Sequence, residues 1–184
     1  MNFSGSNTLD WDIDNDGQPD HIEIIGDEID YYINPFTVRV NGNNILDINE
    51  YGLFSSSKLL KYKGNYYIYL TIYTENDYHN TEIIRLNNGS AEYIGTVEDM
   101  GPEIMINPSK IVFSGKVDCL SSMTGFVDYS VGDDGLPVKI NNDVRLNCFY
   151  SMVTKVQLEG INVADNSSVV IESGTTILHY MTDN

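Results

Sequence analysis

A chain of 184 residues with 41% apolar side chains can bury a core, so a disordered tail is excluded. Its 27 acidic and 10 basic residues give a formal charge of −17. A field of that sign repels phosphate backbones and anionic lipid surfaces, which sets nucleic-acid and membrane-surface partners aside.

The first informative segment is DWDIDNDGQPDHIEI, residues 10–24. Asp12, Asp14, Asp16 and Asp20 fall at positions 1, 3, 5 and 9 of a short loop with Gly17 at position 6. Alternate residues of a tight loop can turn their carboxylates inward, and the glycine permits the sharp reversal. Asp12, Asp14 and Asp16 would supply side chains, Gln18 its main-chain carbonyl, and Asp20 an oxygen directly or through water. An all-oxygen set without Cys or His suits Ca2+ better than zinc, and the number of oxygens favours it over magnesium. The alternative is a solvated acidic turn with Gly17 at its corner. Glu23 stands where an EF-hand places its last ligand, but only eleven residues precede Asp12 and they show no helical face. A strand–loop–strand setting is therefore expected, with Glu23 on the second strand.

HIEIIGDEIDYYI (21–33) supports either a broken helical stripe or a strand, HIEII, ending at Gly26-Asp27; the strand is preferred. FTVRV (36–40) and NILDI (44–48) flank an Asn-Gly step. KLLKYK (58–63) and YYIYLTIYT (66–74) flank Gly64-Asn65, and TEIIRL (81–86) and AEYIGTV (91–97) flank Asn88-Gly89. Such steps tolerate positive φ and signal hairpins. KIVFSGKVDCL (110–120), GFVDYSV (125–131), the GDDG turn and LPVKI (136–140) continue the series. Short connections between successive strands predict an antiparallel all-β fold. Units at 9–48, 49–99 and 102–143 form loose repeats of ~40–50 residues, the length range of propeller blades. Residues 1–143 are thus expected to be a propeller-like β domain, complete or partial, in which the acidic loop occurs once. From Val144 the chain reads as a further β segment to residue 184.

In the strand around residues 66–73, Tyr66, Ile68, Leu70 and Ile72 make the apolar face expected to be core. Tyr67, Tyr69 and Tyr73, with Tyr78 in the polar segment that follows, are candidate ligand-binding rings; cross-strand packing of tyrosines is the alternative. His21, His79 and His179 have no companion motif, and none of the familiar hydrolase, zinc-protease, P-loop or dinucleotide fingerprints occurs, so no catalytic residue is assigned. Glu75, Asp77, Glu82 and Glu103 are carboxylates that a sugar hydrolase could use only if the fold paired them. Cys119 and Cys148 read equally as one disulfide or two buried thiols.

The string LDWDIDNDGQPDHIEI resembles the D-x-D-x-D-G-x-x-D-hydrophobic segment of FG-GAP/VCBS-type propeller repeats, with Asp12, Asp14, Asp16 and Asp20 at the ligand positions. More loosely, residues 66–99 are similar to a hairpin of secreted proteins of Gram-positive bacteria. VVIESGTTILHYMTDN looks like the opening of the small Src-homology-like barrel that follows it there. The resemblance implies a secreted or cell-surface protein; MNFSGSNTLDW is no signal peptide, so a leader would be absent from this chain. It also implies a non-enzymatic calcium-binding module that binds or scaffolds, with a cell-wall or host glycan or protein as partner. A carbohydrate-active enzyme or its glycan-binding accessory, and a purely structural spacer, are the competing expectations.

Overall fold

The computed structural model describes residues 7–26, 36–49, 52–73, 78–87, 89–98, 100–119, 121–162 and 164–183, with the side chains at 103–106, 118–119, 121–122, 147–150 and 178–183 outside the description. The described residues contain strands and turns and no helix. Strands β1 (Thr8–Trp11), β2 (Asp20–Gly26), β3 (Phe36–Val40) and β4 (Asn43–Ile48) form a first antiparallel sheet in chain order. Strands β5 (Leu53–Tyr62), β6 (Asn65–Tyr73), β7 (His79–Asn87) and β8 (Ser90–Val97) form a second in the same way. The third is built from β9 (Met100–Asn107), β10 (Lys110–Cys119), β11 (Ser121–Val131), β12 (Pro137–Lys139), β13 (Asp143–Val153) and β16 (Thr176–Asp183). Strands β14 (Leu158–Ile161) and β15 (Ser168–Ile171) make a separate hairpin. The fold is all-β, antiparallel and propeller-like, as expected.

The turns carry the chemistry read from the sequence. Asn41 and Gly42 take φ of 50° and 78°, the paired left-handed conformation of a two-residue hairpin loop. The β5–β6 turn is shifted by one residue from the expected Gly64-Asn65: Lys63 and Gly64 hold positive φ, 49° and 84°. HIEII lies in β2, so the strand reading holds over the helical one. Strand β9 was not expected from the sequence, and it contains Pro102, which lacks the ladder N–H. It is tolerated here because β9 is the edge of its sheet, and the register with β10 shifts beside it, between Val112 and Phe113.

The second sheet is covered on both faces. Toward the first sheet, Tyr66, Ile68, Leu70 and Ile72 pack with Leu59, Ile84 and Leu86 against Ile22, Ile24, Phe36 and Val38. On its other face Tyr67, Tyr69 and Ile83 join Ile111, Phe113, Val127 and Val144 of the third sheet in a second core. Each fully buried side chain of this size contributes roughly 1.5–3 kcal/mol relative to exposure. The outer side of the first sheet is polar instead, with Thr37 donating to Asp47 at 2.7 Å and Arg39 to Asn44 at 2.8 Å.

The boundary expected at Val144 falls next to the start of β13. That strand pairs with β11 at Gly125↔Leu146 and Phe126↔Arg145, and then with β16 from Asp143↔Asp183 to Val153↔Thr176. The two longer strands of the tail, β13 and β16, therefore extend the third sheet, while the β14–β15 hairpin leaves Leu158, Ile161, Val169 and Val170 exposed. The side chains of Cys119 and Cys148 lie outside the described residues.

Three strands of the third sheet meet at Asp128. Arg145 of β13 grips it with two hydrogen bonds of 2.8 and 2.7 Å, and Lys110 of β10 approaches to 3.5 Å. The Arg145 hydrogen bond, with smaller help from charge, holds the Asp128 carboxyl below its ordinary value against the opposing effect of burial. A depressed folded-state value stabilises above the unfolded one, near pH 4, and that contribution disappears as pH falls through the folded value. Asp128→Asn is accordingly expected to flatten the acid limb of the stability curve. Urea midpoints measured from neutral pH down to about pH 3 test this, and an unchanged acid limb counts against it.

Candidate metal centre

The acidic loop spans the gap between β1 and β2, whose pairing ends at Trp11↔Asp20. A strand enters it, so the helix that an EF-hand requires is absent. Asn15 and Gly17 adopt φ of 62° and 89°, which only glycine and asparagine reach at low cost. That curl turns backbone N–H groups onto the carboxylates. Asp16 donates its N–H to Asp12 Oδ1 at 3.1 Å and Asp14 Oδ1 at 3.0 Å, and Gly17 donates to Asp12 Oδ2 at 3.1 Å. Asp20 is held from two sides, accepting the Ile13 N–H at 3.0 Å and the Asn41 amide at 2.7 Å.

The outcome is convergence. One carboxylate oxygen from each of Asp12, Asp14 and Asp20 lies within 4.8 Å of the others. Oxygens bound to one calcium ion at 2.3–2.6 Å stand at most about 5 Å apart, so the trio fits that ion's span. Asp16 is outside the trio, with its Oδ1 taken by the Gln18 N–H at 2.7 Å, and Gln18 is engaged there as a donor. Glu23 is directed elsewhere, 3.7 Å from His21 Nε2 and 3.9 Å from Arg39. His21 Nδ1 lies 2.6 Å from Asp10, and that hydrogen bond is the main cause that raises the imidazole's value.

Sequence reasoning missed the groups that brace the loop from outside. Tyr66 of β6 donates its hydroxyl to the Asp12 carbonyl at 3.2 Å, and Lys61 of β5 reaches Asn15 Oδ1 at 3.2 Å and the Tyr66 hydroxyl at 3.0 Å. Asn41 was read only as a turn residue, yet its side chain accepts the His21 N–H at 2.8 Å while its amide holds Asp20. A cavity of about 160 Å³ opens beside the trio, lined by Asp14, Asp20, Asn41, Asn43 and the Gly89 turn of the second sheet.

The tyrosine expectation needs correction. Tyr67 and Tyr69 are 2% and 0% exposed, inside the core between the second and third sheets, so neither can meet a ligand. Tyr73 packs edge-on against His79 with ring centroids 4.8 Å apart, and Tyr78 lies under the Lys116 ammonium at 4.9 Å. Of the default carboxylates, Glu75 and Asp77 lie outside the described residues, as does the side chain of Glu103. Glu82 is 1% exposed and accepts from the Tyr93 hydroxyl and Thr96 Oγ1, both at 2.8 Å. It is built into the sheet. Tyr93→Phe would remove a donor from this buried carboxylate and is expected to cost about 1–3 kcal/mol. Chemical denaturation of the variant measures that cost, and a neutral result would show that the bond contributes nothing.

Compared with protein-family models, with curated proteins and with solved structures, the chain matches none.

Proposed function

We propose that the β1–β2 loop binds a calcium ion and that the chain is a calcium-stabilised β module of a secreted or cell-surface protein, with a binding or scaffolding role and no catalysis of its own. The observation that carries this reading is the convergence of Asp12, Asp14 and Asp20 within 4.8 Å on a strand–loop–strand frame. The spacing that resembles FG-GAP/VCBS-type repeats supports the same reading. Without a cation, three carboxylates so close repel one another, and the N–H groups turned onto them offset only part of that cost. A bound ion would join β1, the loop and β2. Through the Asp12 carbonyl and Tyr66, it would also connect them to the second sheet. Extracellular modules use sites with dissociation constants of about 10⁻⁴–10⁻³ M, which an exposed loop with few charged ligands matches.

Calorimetric titration of calcium into the intact chain tests the proposal directly. One site is expected, with Asp14→Asn weakening it about tenfold or more, since a charged oxygen ligand is replaced by a neutral one. An absence of saturable heat, or identical isotherms for the two proteins, would falsify the metal assignment.

A further inference from the structure

Past the end of β13 the chain leaves the third sheet as the β14–β15 hairpin, and Thr154 fixes the point of departure. This residue is buried, and its hydroxyl donates to the Glu172 carbonyl at 2.7 Å. Its N–H donates to the Thr175 carbonyl at 3.0 Å, and its carbonyl accepts the Gly174 N–H at 2.8 Å. The hairpin is held at its base, yet among the described residues neither of its strands pairs with any other. A two-stranded ribbon is marginal by itself in water and gains from a third strand. Natural sheets protect open edges with lysine, proline or a bulge. LEGI and SVVI contain neither residue, and their register runs unbroken from Leu158↔Ile171 to Ile161↔Ser168.

Residues that face each other in the ladder share a side of the ribbon, so the register sorts the side chains. One face carries Leu158, Val169 and Ile171 and no charge. The other carries Glu159 with Ile161 and Val170, which are 70% and 53% exposed. Glu172 lies directly beyond Ile171, and both glutamates are exposed. Between residues 154 and 172 the only basic side chain is Lys155, against Glu159, Asp165 and Glu172. One face is therefore aliphatic, and the other adds negative charge.

We infer that this hairpin takes up an extended segment of a cationic polypeptide as a third strand, one that alternates aliphatic and basic residues. In such strand addition, main-chain hydrogen bonds supply affinity and alternate side chains supply specificity. The aliphatic residues extend the face of Leu158, Val169 and Ile171, while the basic ones meet Glu159 and Glu172. A second copy of this chain is the poorer occupant. It would set glutamates against glutamates and bring together two molecules of charge −17. The site does not depend on calcium at the β1–β2 loop.

An amide-resolved NMR titration of the isotope-labelled chain with a capped nine-residue peptide of alternating valine and lysine tests this. Saturable shifts are expected at residues 158–161 and 168–171. The same peptide with glutamate in place of lysine should bind about tenfold more weakly or worse. So should the one with serine in place of valine, whose equal charge controls for adsorption onto an acidic chain. Glu159→Gln combined with Glu172→Gln should weaken the valine–lysine peptide about fivefold, and Val169→Thr, which keeps the shape, about threefold. Spectra of the free variants establish that each is folded. No shifts, shifts spread over the rest of the surface, equal binding of either control peptide, or unaltered affinity in both variants would each overturn the inference. So would concentration-dependent shifts at the hairpin of the free chain, which would assign the edge to a second copy.

Discussion

Tyr67→Ala is expected to lower the unfolding free energy by about 3–5 kcal/mol, the range for removing a buried aromatic ring and leaving a cavity. Tyr67 fills the second core at 2% exposure, facing the third sheet. The 132–135 turn closes directly upon it: a Cβ added at Gly135 would stand 2.1 Å from Tyr67 Cε1. The same glycine has φ +93°, so Gly135→Ala combines backbone strain with a collision against an immobile ring and should also be severely destabilising. Next to it, the Tyr69 hydroxyl donates to the Gly135 carbonyl at 3.1 Å, and burial pushes that phenol's ionisation up, so it remains a donor. Tyr69→Phe should cost less, about 1–3 kcal/mol, because shape is kept and only the buried bond is lost. Urea denaturation of the three variants gives the ranking. A Tyr67→Ala change within about 0.5 kcal/mol, as surface substitutions show, would contradict the packing of the second and third sheets.

The second large effect is expected from calcium. At free calcium about one hundred times the dissociation constant, binding to the folded state alone adds about 2.7 kcal/mol. For a chain of this size that raises Tm by roughly 5–11 °C. Magnesium at the same ionic strength is the control, because salt alone screens the self-repulsion of a chain of charge −17. Asp14→Asn distinguishes binding from screening by sign. Its side-chain oxygen can still accept the Asp16 N–H, while the repulsion within the trio falls. The calcium-free variant should thus be as stable as the calcium-free parent or more so, and the same calcium, now about ten times its dissociation constant or less, should add at most about 1.4 kcal/mol, half the parent's increment. Equal calcium shifts in parent and variant would leave the increment to nonspecific screening and remove the site.

Several features of this molecule were legible from neighbouring residues alone. Asn41-Gly42 makes a hairpin because those two residues accept positive φ, and the strands on either side follow from their alternation. The spacing of Asp12, Asp14 and Asp20 around Asn15 and Gly17 is likewise local, since a nine-residue loop brings its own side chains together. These properties belong to adjacent peptide units, so they survive any arrangement of the rest of the chain.

Tertiary structure decided the remainder. Period-two alternation names two faces of the strand at 65–73 and assigned one to the core; it cannot tell whether a second sheet covers the other. The buried tyrosines owe their position to Gly135, sixty-six residues from Tyr69, and no local pattern carries that information. The run YYIYLTIY, apolar but for Thr71, was the available signal for a strand covered on both sides, and reading its odd positions as a ligand face overlooked it. Whether Pro102 fits within β9 depends on edge position, a property of the sheet. The braces on the acidic loop are of the same kind: Lys61, Tyr66 and Asn41 reach it only because the first and second sheets pack face to face and β2 pairs with β3. Local chemistry determined which elements form and where a cation could be held. Which faces are buried, and which distant side chains serve the loop, was set by long-range packing, where the burial of apolar area is gained only once the sheets meet.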